Sequence, residues 1–175
     1  KIYFHSLGAI FFQTHLLSGI IISLGLLIYS RITFVLSILG FSVAYLFYKI
    51  VGIEFISLGY NFIGFNYILM AIALGGYFLV PGKVSYGWIV ILLPAVILIT
   101  TSTQQVLGIF KISPYSLPFN AVVLMFLYAL KFREQRPESL IETPVQLGKP
   151  EKNLYLQYPV FISKIITCIT NFIFY

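Results

Sequence analysis

Leu58 to Gly76 reads LGYNFIGFNYILMAIALGG, and this stretch decides the fold. From Met70 onward it is clean apolar sequence, but its first half carries Gly59, Asn61, Gly64 and Asn66. Glycine and asparagine each weaken a helix by roughly 0.5–1 kcal/mol relative to alanine. At membrane depth such a broken segment is tolerated only where protein or a water-filled cavity satisfies the freed backbone groups. The stretch therefore predicts a helix that begins inside a membrane protein rather than at its surface.

The rest of the chain supports a membrane setting. Of its 175 residues, 59% are hydrophobic, 18% aromatic and only 9% charged, with a mean hydropathy of +0.97. Soluble domains carry about 25% charged residues, so most of this surface must meet lipid or other apolar protein. The net charge of +6 does not point to nucleic acid. Between Ile2 and Leu130 the full charges are Arg31, Lys49, Glu54, Lys83 and Lys111, each near the edge of an apolar run, as membrane-interface anchors are. The single cysteine, Cys168, allows neither an intrachain disulfide nor a paired-cysteine metal site. His5 and His15 have no evident third ligand, and Asp is absent. No phosphate-binding loop, dinucleotide glycine pattern or metalloprotease motif occurs. No enzymatic activity, metal or cofactor is expected.

A helix needs about 20 apolar residues to cross a bilayer. Leu7 to Phe12 is a short apolar piece, divided by Gln13, Thr14 and His15 from a span at Leu16 to Ser30. Ile32 to Tyr48 is the next span, closed by Lys49. The broken segment lies within Glu54 to Val80 and ends at the turn Pro81-Gly82-Lys83. Ser85 to Thr101 is another span, kinked at Pro94, and the polar run Thr100 to Gln105 is expected at an interface or cavity. Ser113-Pro114-Tyr115-Ser116-Leu117-Pro118-Phe119-Asn120 breaks the chain again, with Pro118 in the first turn of a helix from Phe119 to Leu130. Lys131, Arg133 and Arg136 follow, a cytoplasmic signal by the positive-inside rule. The expected organisation is a membrane repeat over 1–130, a polar linker over 131–157, and an apolar tail over 158–175 that is either interfacial or spanning. The first residue, Lys1, leads to the expectation that the sequence is a piece of a longer polypeptide.

The informative features are uncharged. Gly64-Phe65-Asn66 and Leu117-Pro118-Phe119-Asn120 each combine a helix breaker, an aromatic ring and an amide where a broken helix should begin. Such starts expose unpaired N–H groups and a positive dipole end. Asn66 and Asn120 are expected to cap them, either as packing alone or beside a solute.

The order of half-helix, span, span, broken helix with Gly64-Phe65-Asn66, span and Ser116 to Asn120 resembles one five-helix repeat of the urea transporter family. Phe11-Phe12 with Leu17-Ser18-Gly19, and the stretch Leu58 to Gly76, carry the likeness over residues 5–130, and the second of these resembles the family's second repeat most. The resemblance implies an all-α integral membrane fold with about five spanning helices plus re-entrant half-helices, forming one half of an inverted-repeat pore. It implies Phe12 and Phe65 as slot aromatics that sandwich a flat amide, with Leu69 and Ile10 as wall residues. It also sets Ser116 where the family has a Thr before its Leu-Pro-Phe, a source of ladder oxygens; Asn66, Pro118, Phe119 and Asn120 complete the structural motif. In one place the chain departs: Ala9 stands where the family has a Gln or Glu that accepts a solute N–H.

The expected function is a passive channel for urea or a similar small neutral amide in a bacterial cytoplasmic membrane. Its partners would be the lipid bilayer, a first repeat of the same chain or a second copy, and a trimeric assembly as in the family; no nucleic acid is expected. Two alternatives stand beside it. One is an electron-transport membrane subunit like those of Rnf and sodium-pumping quinone reductase complexes, although no motif for their covalent flavin is found. The other is a non-conducting anchor of the same fold, which Ala9 favours.

Overall fold

A computed structural model of the chain describes residues 1–13, 15–52, 64–131 and 149–152. Six α-helices run through them: α1 Ile2–Ala9, α2 Leu16–Tyr29, α3 Arg31–Val51, α4 Gly64–Ile72, α5 Lys83–Ile109 and α6 Leu117–Lys131. A π-helical segment, Ala73–Phe78, continues α4.

Helix length separates two classes of element. At 1.5 Å per residue, the 21 residues of α3 and the 27 of α5 reach about 31 and 40 Å, enough to cross a hydrocarbon core about 30 Å thick. Helix α4 with its π-helical continuation, Gly64–Phe78, is shorter than either. Helix α4 is nonetheless the best covered of the six, with every residue buried except the half-buried Leu69. It packs against α1, α3, α5 and α6. The interrupted segment is thus the hub of the fold, and protein on all sides can satisfy backbone groups that its glycines and π-helical turn leave free.

Sequence decides where these helices begin and end. Ser30 separates α2 from α3; its backbone is extended and its hydroxyl accepts from the Thr33 N–H at 3.1 Å, a standard N-cap. Helix α5 runs on past the expected end at Thr101 to Ile109 and passes through Pro94 without a break. Within this polar run the hydroxyls of Thr100, Thr101 and Thr103 donate to the carbonyls of Val96, Ile97 and Ile99 at 2.6, 3.0 and 2.6 Å. Back-bonded in this way, a threonine hides its polarity from an apolar surrounding. Helix α6 starts at Leu117, two residues before the expected Phe119, with Pro118 in its first turn.

Packing at the hub is close. A Cβ on Gly40 of α3 would lie 2.5 Å from the Ala71 Cβ and 2.7 Å from the Tyr67 carbonyl oxygen of α4. A Cβ on Gly64, the first residue of α4, would fall on the Ser6 hydroxyl of α1. Tyr48 and Tyr67 join α3 to α4 through a hydroxyl–hydroxyl bond of 2.7 Å. Outward, α2 exposes Leu17, Ile21, Leu24 and Ile28, and α5 exposes Val84, Ile91 and Leu98 at seven-residue spacing. Apolar faces of that extent belong against lipid, and the protein is an integral membrane protein with an all-α fold. The Glu54-to-Ile63 portion of the expected broken segment, most of the 131–157 linker and the whole 158–175 tail lie outside the described residues.

Candidate functional site

Three helix breaks meet at one place. The first follows α1. The Phe12 N–H donates to the Ala9 carbonyl at 3.0 Å, and the N–H groups of Phe11 and Gln13 both donate to the Gly8 carbonyl at 3.1 Å. These bonds wind the chain tightly and leave Phe12 in a left-handed conformation, φ 58°. The second break is the start of α4, where Asn66 is fully buried. The third precedes α6, where Tyr115 also adopts a left-handed conformation, φ 43°.

Asn66 ties the second break to the third, because its Nδ2 donates to the Tyr115 carbonyl at 3.0 Å across 49 residues of sequence. Tyr115 in turn ties the third to the first. Its ring meets that of Phe12 edge to face, with centroids 5.4 Å apart and planes at 75°. A non-glycine residue in the left-handed region costs about 1–2 kcal/mol. An aromatic pair contributes about 0.5–1.5 kcal/mol beyond burial, and the Asn66 bond about 1 kcal/mol. The contacts between the breaks therefore offset a substantial part of the strain in these two residues.

The expected site residues are distributed unevenly around this junction. Phe12 stands 66% exposed, whereas Phe65, one residue before Asn66, is only 4% exposed and lies in the core. Ile10, Leu69, Ser116 and Phe119 are half-buried, Pro118 is buried and Asn120 is exposed. The two asparagines do not cap as expected. A capping side chain accepts from the first-turn N–H groups, but both of these donate: Asn66 to Tyr115, and Asn120 through Nδ2 to the Ser116 carbonyl at 3.0 Å. Ser116 occupies the position before α6, and its carbonyl also accepts the Asn120 N–H at 3.3 Å.

Two residues of the junction were not anticipated. Tyr115 carried a signal, an aromatic ring between Pro114 and Pro118, but its left-handed backbone and its partners arise only in three dimensions. Ser6 lies wholly buried against Gly64, and its hydroxyl has no hydrogen-bond partner; the Asn66 Oδ1 is buried and unpartnered too. Ala9 is 1% exposed, enclosed by its own repeat.

The junction is electrically quiet. The buried polar residues among those described are Ser6, Ser23, Ser30, Thr33, Ser37, Asn66, Ser85 and Thr100, all neutral. No group of three His, Cys, Asp or Glu side chains that would suit a metal ion occurs among the described residues. Charge gathers instead at the far end of α2, where a cavity of about 540 Å³ opens between Tyr29, Arg31, Lys149 and Glu151. There the Glu151 Oε1 accepts from the Ser30 hydroxyl at 2.8 Å and from the Ile32 N–H at 3.2 Å. Desolvation pushes the Glu151 carboxyl up, but hydrogen bonds from its own backbone, Ser30 and the start of α3 outweigh it and hold the group below the ordinary carboxylate value. The Lys149 ammonium lies 5.4 Å from the centre of the Tyr29 ring.

No curated protein compared with the chain matches it. The family model described as "Urea transporter" matches residues 1–131, which hold all six helices and all three breaks, and the chain therefore belongs to the urea transporter family.

Proposed function

We propose that the chain forms one repeat of a passive channel for urea or a similarly small, neutral, planar amide. The observation that carries this reading is the convergence of three helix breaks on uncharged groups: the Phe12 ring, the Tyr115 ring and carbonyl, and the Asn66 amide. A proton path inside a membrane calls for ionisable side chains. A flat neutral solute calls for shape, aromatic faces and oxygen acceptors instead.

In this reading Phe12 and Phe65 are slot aromatics, Leu69 and Ile10 line the wall, and Ser116 contributes oxygens to the ladder. Asn66, Pro118, Phe119 and Asn120 hold the breaks that position them. A second repeat closes the pore, from the same natural polypeptide or a second copy, and the assembly is a trimer in a bacterial cytoplasmic membrane. The basic cluster at Lys131, Arg133 and Arg136 faces the cytoplasm. The chain then acts by transport and not by catalysis.

Urea efflux from liposomes holding the complete natural protein tests the proposal. The expected result is flux above protein-free liposomes, saturable and blocked by an excess of a competing small amide. Flux equal to protein-free liposomes, with the protein folded, refutes it. Ala9 favours a second reading, a non-conducting anchor, and that negative result is the one it requires. No feature of the described residues favours the flavin-carrying electron-transport alternative.

A further inference from the structure

We propose that the cavity at the far end of α2 binds the phosphate of an anionic phospholipid between Arg31 and Lys149, with the acyl chains lying along the exposed face of α2. The site stands apart from the junction of the three breaks, and the inference does not depend on what the pore conducts.

The depth of the cavity in the membrane follows from α3. Arg31 opens that helix and Lys49 lies in its last turn. The helix between them spans about 27 Å, close to the roughly 30 Å of a hydrocarbon core. The two cations therefore mark opposite headgroup boundaries, and Arg31 sets the cavity at one of them. Tyr29, beside it, is a residue type that settles at such a boundary.

Charge at that boundary is unbalanced. The cavity, about 540 Å³, is lined by two cations, Arg31 and Lys149, and one carboxylate, Glu151. The carboxylate is turned to the protein: its Oε1 accepts from the Ser30 hydroxyl at 2.8 Å and the Ile32 N–H at 3.2 Å, and its Oε2 is buried. Arg31 and Lys149 are exposed, and among the described residues neither has an ion pair. The Lys149 ammonium lies 5.4 Å from the centre of the Tyr29 ring. The first N–H groups of α3 are occupied as well, that of Ile32 by Glu151 and that of Thr33 by the Ser30 hydroxyl at 3.1 Å. An anion entering the cavity is thus met by side-chain cations and not by the helix end. Arg31 offers a planar fork of donors that matches two phosphate oxygens, and Lys149 adds a mobile point charge.

The remaining wall selects which anion. Leu27 and Ile28 complete the lining on the α2 side. From Ile28 the exposed residues Leu24, Ile21 and Leu17 continue down α2, three or four positions apart and so on one face. An apolar stripe that ends in a cationic cavity at headgroup depth has the two-part chemistry of a phospholipid. A free phosphate ion would leave the stripe unused. A lipid without net charge would leave the surplus positive charge unmatched, whereas basic pockets at helix ends favour anionic headgroups.

The experiment titrates the complete natural protein in detergent with phosphatidylglycerol and reads bound lipid by native mass spectrometry, with phosphatidylcholine and inorganic phosphate as comparison probes. The variants are Arg31→Gln, Lys149→Gln and, as a control of equal charge at the other end of α3, Lys49→Gln. A cation beside an anionic headgroup changes binding about fivefold. Arg31→Gln and Lys149→Gln should therefore each weaken the tightest phosphatidylglycerol site roughly fivefold. Lys49→Gln should leave that site unchanged, and an excess of inorganic phosphate should not displace the lipid. Thermal unfolding in lipid-free detergent controls for folding, and the exposed Lys149 side chain carries the test alone should Arg31→Gln not fold. Equal weakening by all three variants would reduce the effect to diffuse surface charge and overturn the inference. So would phosphatidylcholine binding as tightly as phosphatidylglycerol, or displacement by inorganic phosphate. Binding indifferent to Arg31 and Lys149, as when another part of the assembly covers the stripe, overturns it too.

Discussion

Replacing Asn66 with leucine should disturb the junction of the three breaks far more than it disturbs the fold. The two side chains each have four heavy atoms, branched at Cγ, so the substitution leaves no cavity in α4. It removes the 3.0 Å bond from Nδ2 to the Tyr115 carbonyl, and a partly buried carbonyl left unpaired costs about 1 kcal/mol. It also removes the Asn66 Oδ1, a buried acceptor without a partner, whose burial carries a penalty of about 1–3 kcal/mol. These two terms have opposite sign and similar size, so net stability should change by only about 1 kcal/mol, or roughly 2–4 °C in unfolding temperature for a chain of this length. The local effect does not cancel. Once released, Tyr115 has no hydrogen bond to hold its φ of 43°, and about 1–2 kcal/mol of backbone strain favours opening of the loop. Hydrogen exchange reads this directly. The Leu117 amide, bonded to the Pro114 carbonyl at 3.1 Å, and the Asn120 amide, bonded to Ser116 at 3.3 Å, should exchange roughly 5–30 times faster. Amides in the middle of α3 should be unchanged. Unaltered exchange at Leu117 and Asn120 would refute the reasoning, and so would a uniform loss of protection with a large fall in unfolding temperature.

Two further outcomes follow from the packing and the charge. Gly40→Ala sets a Cβ 2.7 Å from the backbone oxygen of Tyr67, which cannot rotate away; about 1–3 kcal/mol of overpacking should lower the unfolding temperature by several degrees, while Gly25→Ala, with nothing within 4 Å, should not. Glu151 is held below its ordinary value, so its carboxylate stabilises the contact with Ser30 and Ile32 above the ordinary carboxylate pKa, and that stabilisation fades as pH falls through the lower folded value. Protection of the Ile32 amide should therefore weaken on acidification in wild type relative to Glu151→Gln, which has no carboxylate to titrate; identical pH profiles for the two would count against it.

Much of this architecture is legible in the residues because the signals are local. The divide at Gln13 to His15 is set by adjacent polar residues, the boundary between α2 and α3 by the Ser30 cap before Arg31, and the start of α6 by a proline that is at home in a first turn. The continuation of α5 was hidden because a run of threonines and glutamines looks like an interface. Only the backbone tells that each hydroxyl is returned to a carbonyl one turn earlier. The role of Asn66 was hidden for a different reason. An amide near a helix start has two uses, as a cap or as a long-range donor, and the choice depends on a carbonyl 49 residues away. The left-handed Tyr115 was the least legible, since a non-glycine residue reaches that region only under tertiary constraint.

Ala9 brings these strands together. Its type alone invites a simple repair, glutamine at position 9 to restore the family's acceptor, with flux rising if the slot is otherwise intact. Its surroundings argue against that repair. At 1% exposure, the Ala9 methyl is enclosed on the last turn of α1, between the buried Gly8 and the half-buried Ile10. A glutamine adds four heavy atoms and an amide that needs partners, so the turn must move or the amide go unpaired, each at about 1–3 kcal/mol. Because that turn also winds Phe12 through the bond to the Ala9 carbonyl, moving it displaces the exposed ring. Ala9→Gln should therefore lower the unfolding temperature and fail to raise urea flux even in a conducting protein, so its silence would not support the anchor reading. A gain of flux at unchanged stability would contradict the packing argument.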